Sequence, residues 1–252
     1  MSSRPRAEAA TGARLSVGAL ALVAALAAAP ARGEPLLGPL TGPGAAPPEP
    51  WHVAGLPQQT KPFTRFSVVD LDGRRALKIE ADHSYGNLVH ALKPVMPPLH
   101  LGWQWRVELP LEHSDLREKS GDDTEVKVCV FFDEPMEQLA FGERQLLRLA
   151  RARSDEPVPT ATVCYVWDSR LPAGTALDSP FTRRLRYIVL QSGTARLGQW
   201  VAERRDIAAD YLKVFGSEGA SVPPVVGVAV GADADNTKSH SIAYVGELVL
   251  AP

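Results

Sequence analysis

The sequence predicts an all-β domain: an antiparallel β-sandwich of jelly-roll, carbohydrate-binding-like type with one or two short helical insertions. Three observations predict it. Short segments of alternating apolar and polar residues recur between turn signals from about residue 65 to 250. Two stretches look helical instead. The part from Trp51 to Pro252 is roughly 200 residues, a normal size for one β-rich domain. About ten strands with scarce helix fit a sandwich.

Taken in order, residues 1–31 have the layout of a secretory signal peptide. Arg4, Arg6 and Arg14 give a basic start, Leu15 to Ala29 is uncharged and apolar, and Ala29-Pro30-Ala31 offers a small-x-small cleavage site. The apolar run falls short of the roughly twenty residues that a spanning helix needs. The expectation is a periplasmic or secreted protein without stable membrane insertion after cleavage. Residues 32–50, rich in Pro, Gly and Ala, read as a flexible segment with too little apolar content to pack. Residues 51–252 form the single sandwich domain.

Within the domain, Arg65–Val69 and Ala76–Ile79 flank the turn Asp70-Leu71-Asp72-Gly73 and read as a hairpin. Further strands are expected at 87–92, 99–109, 125–132, 161–167, 185–191, 200–205, 225–232 and 241–250. Helices are expected at 137–151, where Leu139, Leu146 and Leu147 have helical spacing, and at 206–215. The second begins on a good N-cap, Asp206, and ends before Gly216.

Alternation assigns faces. Leu101, Trp103, Trp105, Val107 and Leu109 share one stripe, which favours core packing of the tryptophans over sugar stacking. Val126, Val128, Val130 and Phe132 point inward, as do Val163, Tyr165 and Trp167, and Val226, Val228 and Val230. The opposite faces carry Arg106, Glu108, Glu125 and Lys127 beside Gly227, Ala229 and Gly231. Such a face is either a shallow polar groove or an ordinary solvated sheet surface. Cys129 and Cys164 both fall on it, so a disulfide is possible in an oxidising compartment if their strands are neighbours.

The formal charge is −2 overall and near −4 without residues 1–31, with no basic cluster suited to nucleic acid. Nucleophile-elbow, zinc-protease and Cys-x-x-Cys motifs are missing from the sequence, and six histidines are scattered. No cofactor is expected. Asp122 and Asp123, in Lys119-Ser-Gly-Asp-Asp123, cap a turn, bind Ca²⁺ or accept hydrogen bonds from ligand hydroxyls, with turn chemistry favoured. Asp233 and Asp235 offer half of a calcium loop but lack its Gly and bidentate Glu. Asp235 and Asn236 are also ligand candidates. Arg170 and Arg196 sit in strand-end loops, where an Arg clamps an anion or pairs with a structural carboxylate, and Arg106 lies on the polar face. Glu108 and Glu125 could serve glycoside cleavage if they face each other across a groove, as could many charge pairs on a wet sheet.

Together these segments resemble the bacterial domain-of-unknown-function family 3047. The resemblance rests on Trp105-Arg-Val, Lys119-Ser-Gly-Asp-Asp123, Cys164-Tyr-Val-Trp167 with Arg170-Leu-Pro, and Gln191-Ser-Gly with Leu197-Gly-Gln-Trp200. Glu203-Arg-Arg-Asp206, Val226-Gly-Val-Ala-Val and Asp233-x-Asp-Asn-Thr237 complete it. It covers about residues 60–250 and implies an exported sandwich, without implying a substrate. Where many sugar-binding sandwiches carry an acid in the last strand, this chain has Gly246. The functional expectation is a non-catalytic binding module with a glycan partner. The alternatives are a structural partner of an envelope protein and a polysaccharide hydrolase.

Overall fold

Twelve strands and two α-helices follow one another in the computed structural model, which describes Met1 and residues 35–154 and 156–252. The signal-peptide expectation for residues 1–31 lies, apart from Met1, outside the described residues. In chain order the strands are β1 (His52–Ala54), β2 (Arg65–Leu71), β3 (Arg74–Asp82), β4 (Tyr85–Val95), β5 (His100–Leu109) and β6 (Thr124–Phe132). Helix α1 (Phe141–Arg153) precedes β7 (Ala161–Asp168), β8 (Ala176–Asp178), β9 (Leu185–Ser192) and β10 (Val201–Asp206). Helix α2 (Ile207–Phe215), β11 (Val225–Asp233) and β12 (His240–Ala251) finish the chain.

The strands form two sheets. One has seven in the order β1-β4-β11-β6-β7-β9-β8, the other five in the order β10-β5-β12-β3-β2. Ladders between these strands are antiparallel except for β7–β9, which is parallel. The β2–β3 hairpin pairs Leu71 with Arg74, and its two loop residues, Asp72 (φ 51°) and Gly73 (φ 74°), take the left-handed conformation that a tight hairpin requires. The expected α2 starts as predicted, with the Asp206 side chain accepting from Ala209 N at 3.0 Å.

The core lies between the sheets. Trp103 and Trp105 of β5 are buried against Tyr165 and Trp167 of β7, with ring centroids 5.2 Å apart for Trp103–Tyr165 and 6.1 Å for Trp105–Trp167. The tryptophans are therefore packing residues. On β11 the inward stripe is Val225, Val228 and Val230 rather than Val226, because a register shift between Val225 and Gly227 turns the chain over by one residue.

Three expectations need correction. The first helix is split: a 3-10 turn at Met136–Gln138 precedes α1, and Leu146 is 70% exposed rather than inward. Secondly, the described part of the segment expected to be flexible, residues 35–50, is packed. Leu37 and Leu40 are buried in the main core. Gly38 N donates to His90 Nε2 at 2.9 Å, Trp51 Nε1 donates to Gly38 O at 3.1 Å, and Arg75 donates to the carbonyls of Gly42 and Gly44. Two leucines among the prolines suffice as anchors, because the backbone's polar groups are satisfied by neighbours.

Thirdly, the supposed polar face does not exist as one surface. Arg106 and Glu108 belong to the five-stranded sheet, whereas Glu125, Lys127, Gly227 and Gly231 belong to the seven-stranded one. The outer face of the seven-stranded sheet is covered by a second apolar cluster that includes Leu116, Leu171, Tyr187 and Val189. Its glycines accommodate neighbours rather than a ligand: a Cβ on Gly231 would lie 2.7 Å from Gly86 O. In this layer Cys129 and Cys164 sit directly opposite each other on β6 and β7 and are joined as a disulfide.

Replacing Leu40 with Ala should lower unfolding free energy by about 2–5 kcal/mol in urea titration, as for a buried leucine in a core. A free tether would leave stability unchanged.

Candidate functional site

Four of the ten sequence-selected polar residues, Asp122, Asp123, Asp233 and Asn236, come together in one buried clasp rather than at an open site. Asp123 is fully buried. Its Oδ1 accepts from Asn236 N at 3.1 Å and Asn236 Nδ2 at 3.2 Å, and its Oδ2 accepts from Thr237 N at 2.7 Å and Thr237 Oγ1 at 2.6 Å. Asp122 accepts from Tyr187 Oη at 2.9 Å and Ser179 Oγ at 3.1 Å, and burial pushes its pKa up to about 6, with the nearby Asp233 charge adding to the rise. Asp233 accepts from Thr124 N at 2.8 Å and from Lys127 Nζ at 2.9 Å, and that ammonium lies 4.8 Å from the Tyr85 ring centroid. Burial opposes the Lys127 charge most strongly, but Asp233, Tyr85 and Asp122 together outweigh it and raise the Lys127 pKa. These bonds tie the loop before β6 to the β11–β12 connection.

The calcium expectation does not fit this geometry. Asp233 holds the Lys127 ammonium and Asp235 that of Lys61, so both carboxylates already face cations. Among the described residues no group of three or more His, Cys, Asp or Glu is placed to hold a metal ion.

Glu108 and Glu125 do not share a groove. Glu108 is exposed on the five-stranded sheet and accepts from Arg106 Nε at 2.9 Å and Nη2 at 2.7 Å. Glu125 is fully buried in the other sheet, where it accepts from Leu111 N at 3.2 Å and from Ser169 Oγ. Its Oε2 and the Oδ2 of buried Asp168 have no hydrogen-bond partner among the described residues. Burial raises the Glu125 pKa to about 8, reinforced by Asp168, and Asp168 is itself raised by burial. Glu125 is thus a neutral structural acid at pH 7. Asp168 turns the chain after β7 by accepting from the backbone N–H groups of Arg170 and Leu171. Arg170 is exposed, with Nη1 3.8 Å from Asp115, and Arg196 is exposed near Gln191.

Arg106 lies with Glu108 on the outer face of the five-stranded sheet. It is held by Glu108 and, through Nη1, by Asp72 at 2.6 Å. Next to it the outer face of the five-stranded sheet has a depression of about 360 Å³ lined by Asp72, Arg74, Arg75, Gln104, Gly246 and Glu247. Elements from three parts of the chain build it. The β2–β3 turn supplies Asp72 and Arg74, β5 supplies Gln104, and β12 supplies Gly246 and Glu247. A register shift on β12 between Gly246 and Val249 forces Glu247 to φ 46°, a strained value for a non-glycine residue, and turns its exposed carboxylate out.

Gly246 leaves room beside it for the indole of Trp200, whose ring atoms would lie 3.7–3.8 Å from a Cβ there. The Arg74 guanidinium stacks 5.0 Å from that ring, and its Nη1 donates to Gln104 Oε1 at 2.6 Å. Gln104, Glu247, Arg74 and Trp200 were not singled out as site residues in the sequence, because the hairpin and the β12 irregularity that gather them are not encoded at neighbouring positions. The Gly246 position was noticed in the sequence, and its neighbour Glu247 is the exposed acid of that strand.

Comparison with known proteins places the chain in a family. Residues 49–249 match the family model described as "Protein of unknown function (DUF3047)". No curated protein matches the chain. Solved structures similar to it include TmCBM61 in complex with beta-1,4-galactotriose, at 10% identity and a TM-score of 0.34, covering 81% of this chain and 88% of that one. A native family 12 xyloglucanase from Bacillus licheniformis is similar at 7% identity and a TM-score of 0.43, covering 79% and 90%. The xyloglucanase domain of NopAA from Sinorhizobium fredii is similar at 9% identity and a TM-score of 0.40, covering 84% and 90%.

The buried carboxylate gives a pH test. Between about pH 4.5 and 8 native Glu125 keeps a proton that the unfolded chain releases, so stability falls as pH rises through that window. The slope should approach about 1.4 kcal/mol per pH unit, the limit for one proton. Urea titrations at several pH values should show Glu125→Gln flattening this slope, and an unchanged slope would place the effect elsewhere.

Proposed function

The chain belongs to the DUF3047 family, and from this premise we propose that it is an exported, non-catalytic binding module that takes a glycan on the outer face of its five-stranded sheet. The observation that carries the reading is the depression beside Trp200. Gln104 and Asp72 bring an amide and a carboxylate to its edge, Arg74 brings a guanidinium, and Glu247 is turned outward by a strained backbone. A sugar presents hydroxyls in all directions around an apolar ring face, so a polar shelf edged by an indole suits it. The shelf stands on rigid strands, which keeps the loss of freedom on binding small.

Export is supported by two features. One is the basic-then-apolar layout of residues 1–31. The other is the Cys129–Cys164 disulfide, which persists in oxidising compartments such as the periplasm or the exterior. A non-catalytic role is supported by the separation of the two glutamates, since a glycosidase needs both carboxyl groups on one substrate.

Isothermal titration against a panel of soluble oligosaccharides tests the proposal. Trp200→Ala and Gln104→Ala should each weaken the binding of a responding sugar at least tenfold while leaving the melting transition cooperative. Binding that survives both substitutions unchanged removes the shelf as the site.

A further inference from the structure

Helix α1 has no structural reason, within the fold, for its composition. It inserts between β6 and β7 and spans thirteen residues, of which only Leu147 is buried. An isolated helix of that length is marginal in water. Its attachment to the domain is largely polar: Glu143 meets Arg184 at 3.4 Å, and Arg151 donates to Val158 O at 2.9 Å and meets Asp133 at 3.2 Å. The remaining apolar side chains face solvent. Phe141 and Leu146 are each 70% exposed and Leu149 is 48% exposed, beside Leu56 at 45%. Leu146, Leu149 and Arg153 also line a shallow groove against Pro57 and Gln58.

The helix itself is net basic. The helix carries four arginines and one glutamate, and that glutamate is engaged by Arg184. Exposed Arg148 and Arg153 have no acidic partner among the described residues. Exposed leucines and a phenylalanine flanked by uncompensated arginines are the composition of a helix that lies in a membrane interface. We propose that α1 docks the domain on an anionic phospholipid surface, with Phe141, Leu146 and Leu149 entering the headgroup region and Arg148 and Arg153 meeting phosphates. A second copy of the chain is a poorer occupant. An isologous contact would bring the same arginines face to face with no acid between them. No helix among the described residues is long and apolar enough to cross a membrane, so this docking is peripheral.

Hydrogen exchange followed by mass spectrometry on the full chain provides a readout local to the helix, which separates it from any lipid contact made by residues 1–34. The probes are vesicles of phosphatidylcholine alone and vesicles of equal parts phosphatidylcholine and phosphatidylglycerol. Exchange across residues 141–153 should slow several-fold with the anionic vesicles only. High salt should weaken that protection. The pair Leu146→Ser with Leu149→Ser should abolish it, and Arg148→Gln with Arg153→Gln should reduce it severalfold. These side chains are exposed, so protection of β6 and β7 should persist in both variants and report an intact fold. No slowing with either vesicle overturns the proposal in favour of an acidic protein partner. Equal slowing with both vesicles, or slowing indifferent to the substitutions, overturns it as well.

Discussion

Strands β6 and β7 have scarcely a residue in contact with water, so every polar side chain they carry must find its partner inside the protein. An antiparallel sheet commonly leaves one face to solvent. Here both faces of the seven-stranded sheet are covered, one by the core and the other by the layer of Leu116, Leu171 and Tyr187. Lys127 can lie in that second layer because Asp233 faces it, and Glu125 can because it keeps its proton. The four hydrogen bonds donated to Asp123 then fasten the covering loop to the β11–β12 connection. Removing one partner of such a set leaves the others desolvated and unpaired, which makes the clasp cooperative.

This covering decides which sheet face stays polar and open. With one sheet face closed, the broad polar surface left on the sandwich is the outer face of the five-stranded sheet. On that surface ordinary alternation puts Gln104, Arg106 and Glu108 outward while Trp103, Trp105 and Val107 remain in the core. Stability and recognition thus fall on opposite sides of the same strand, and substitutions on the outward side need not disturb the packing.

All ten strands expected from period-two alternation are present, because alternation reports burial directly and each strand has one strongly apolar stripe. The two missed strands, β1 and β8, have three residues each and lie at sheet edges, where there is too little length for a period to register. The site was far less legible. Asp122, Asp123, Asp233 and Asn236 were visible as polar loop residues, but only the fold shows that their hydrogen-bonding capacity is spent inside the protein. Sequence distance hid this: Asp123 and Thr237 are 114 residues apart. Glu125 and Lys127 looked like surface charges because alternation cannot reveal a second covering layer. The same limit applies to Leu146, whose helical spacing suggested an inward face that the domain does not use.

The shelf itself stands where regular structure is interrupted twice. A two-residue turn with two positive φ angles brings Asp72 and Arg74 up to the face, and the irregularity in β12 turns Glu247 out beside Gln104. A continuous β12 would alternate Gly246 out and residue 247 in, which would bury a carboxylate in the core at a cost of several kcal/mol. Reversing the backbone at Glu247 avoids that cost at the expense of about 1–3 kcal/mol of local strain. An apolar residue at position 247 would have removed the conflict entirely. The strained acid thus stays out of the core and beside Gln104 on the outer face of the five-stranded sheet, its Oε2 accepting from Gln104 Nε2 at 3.4 Å.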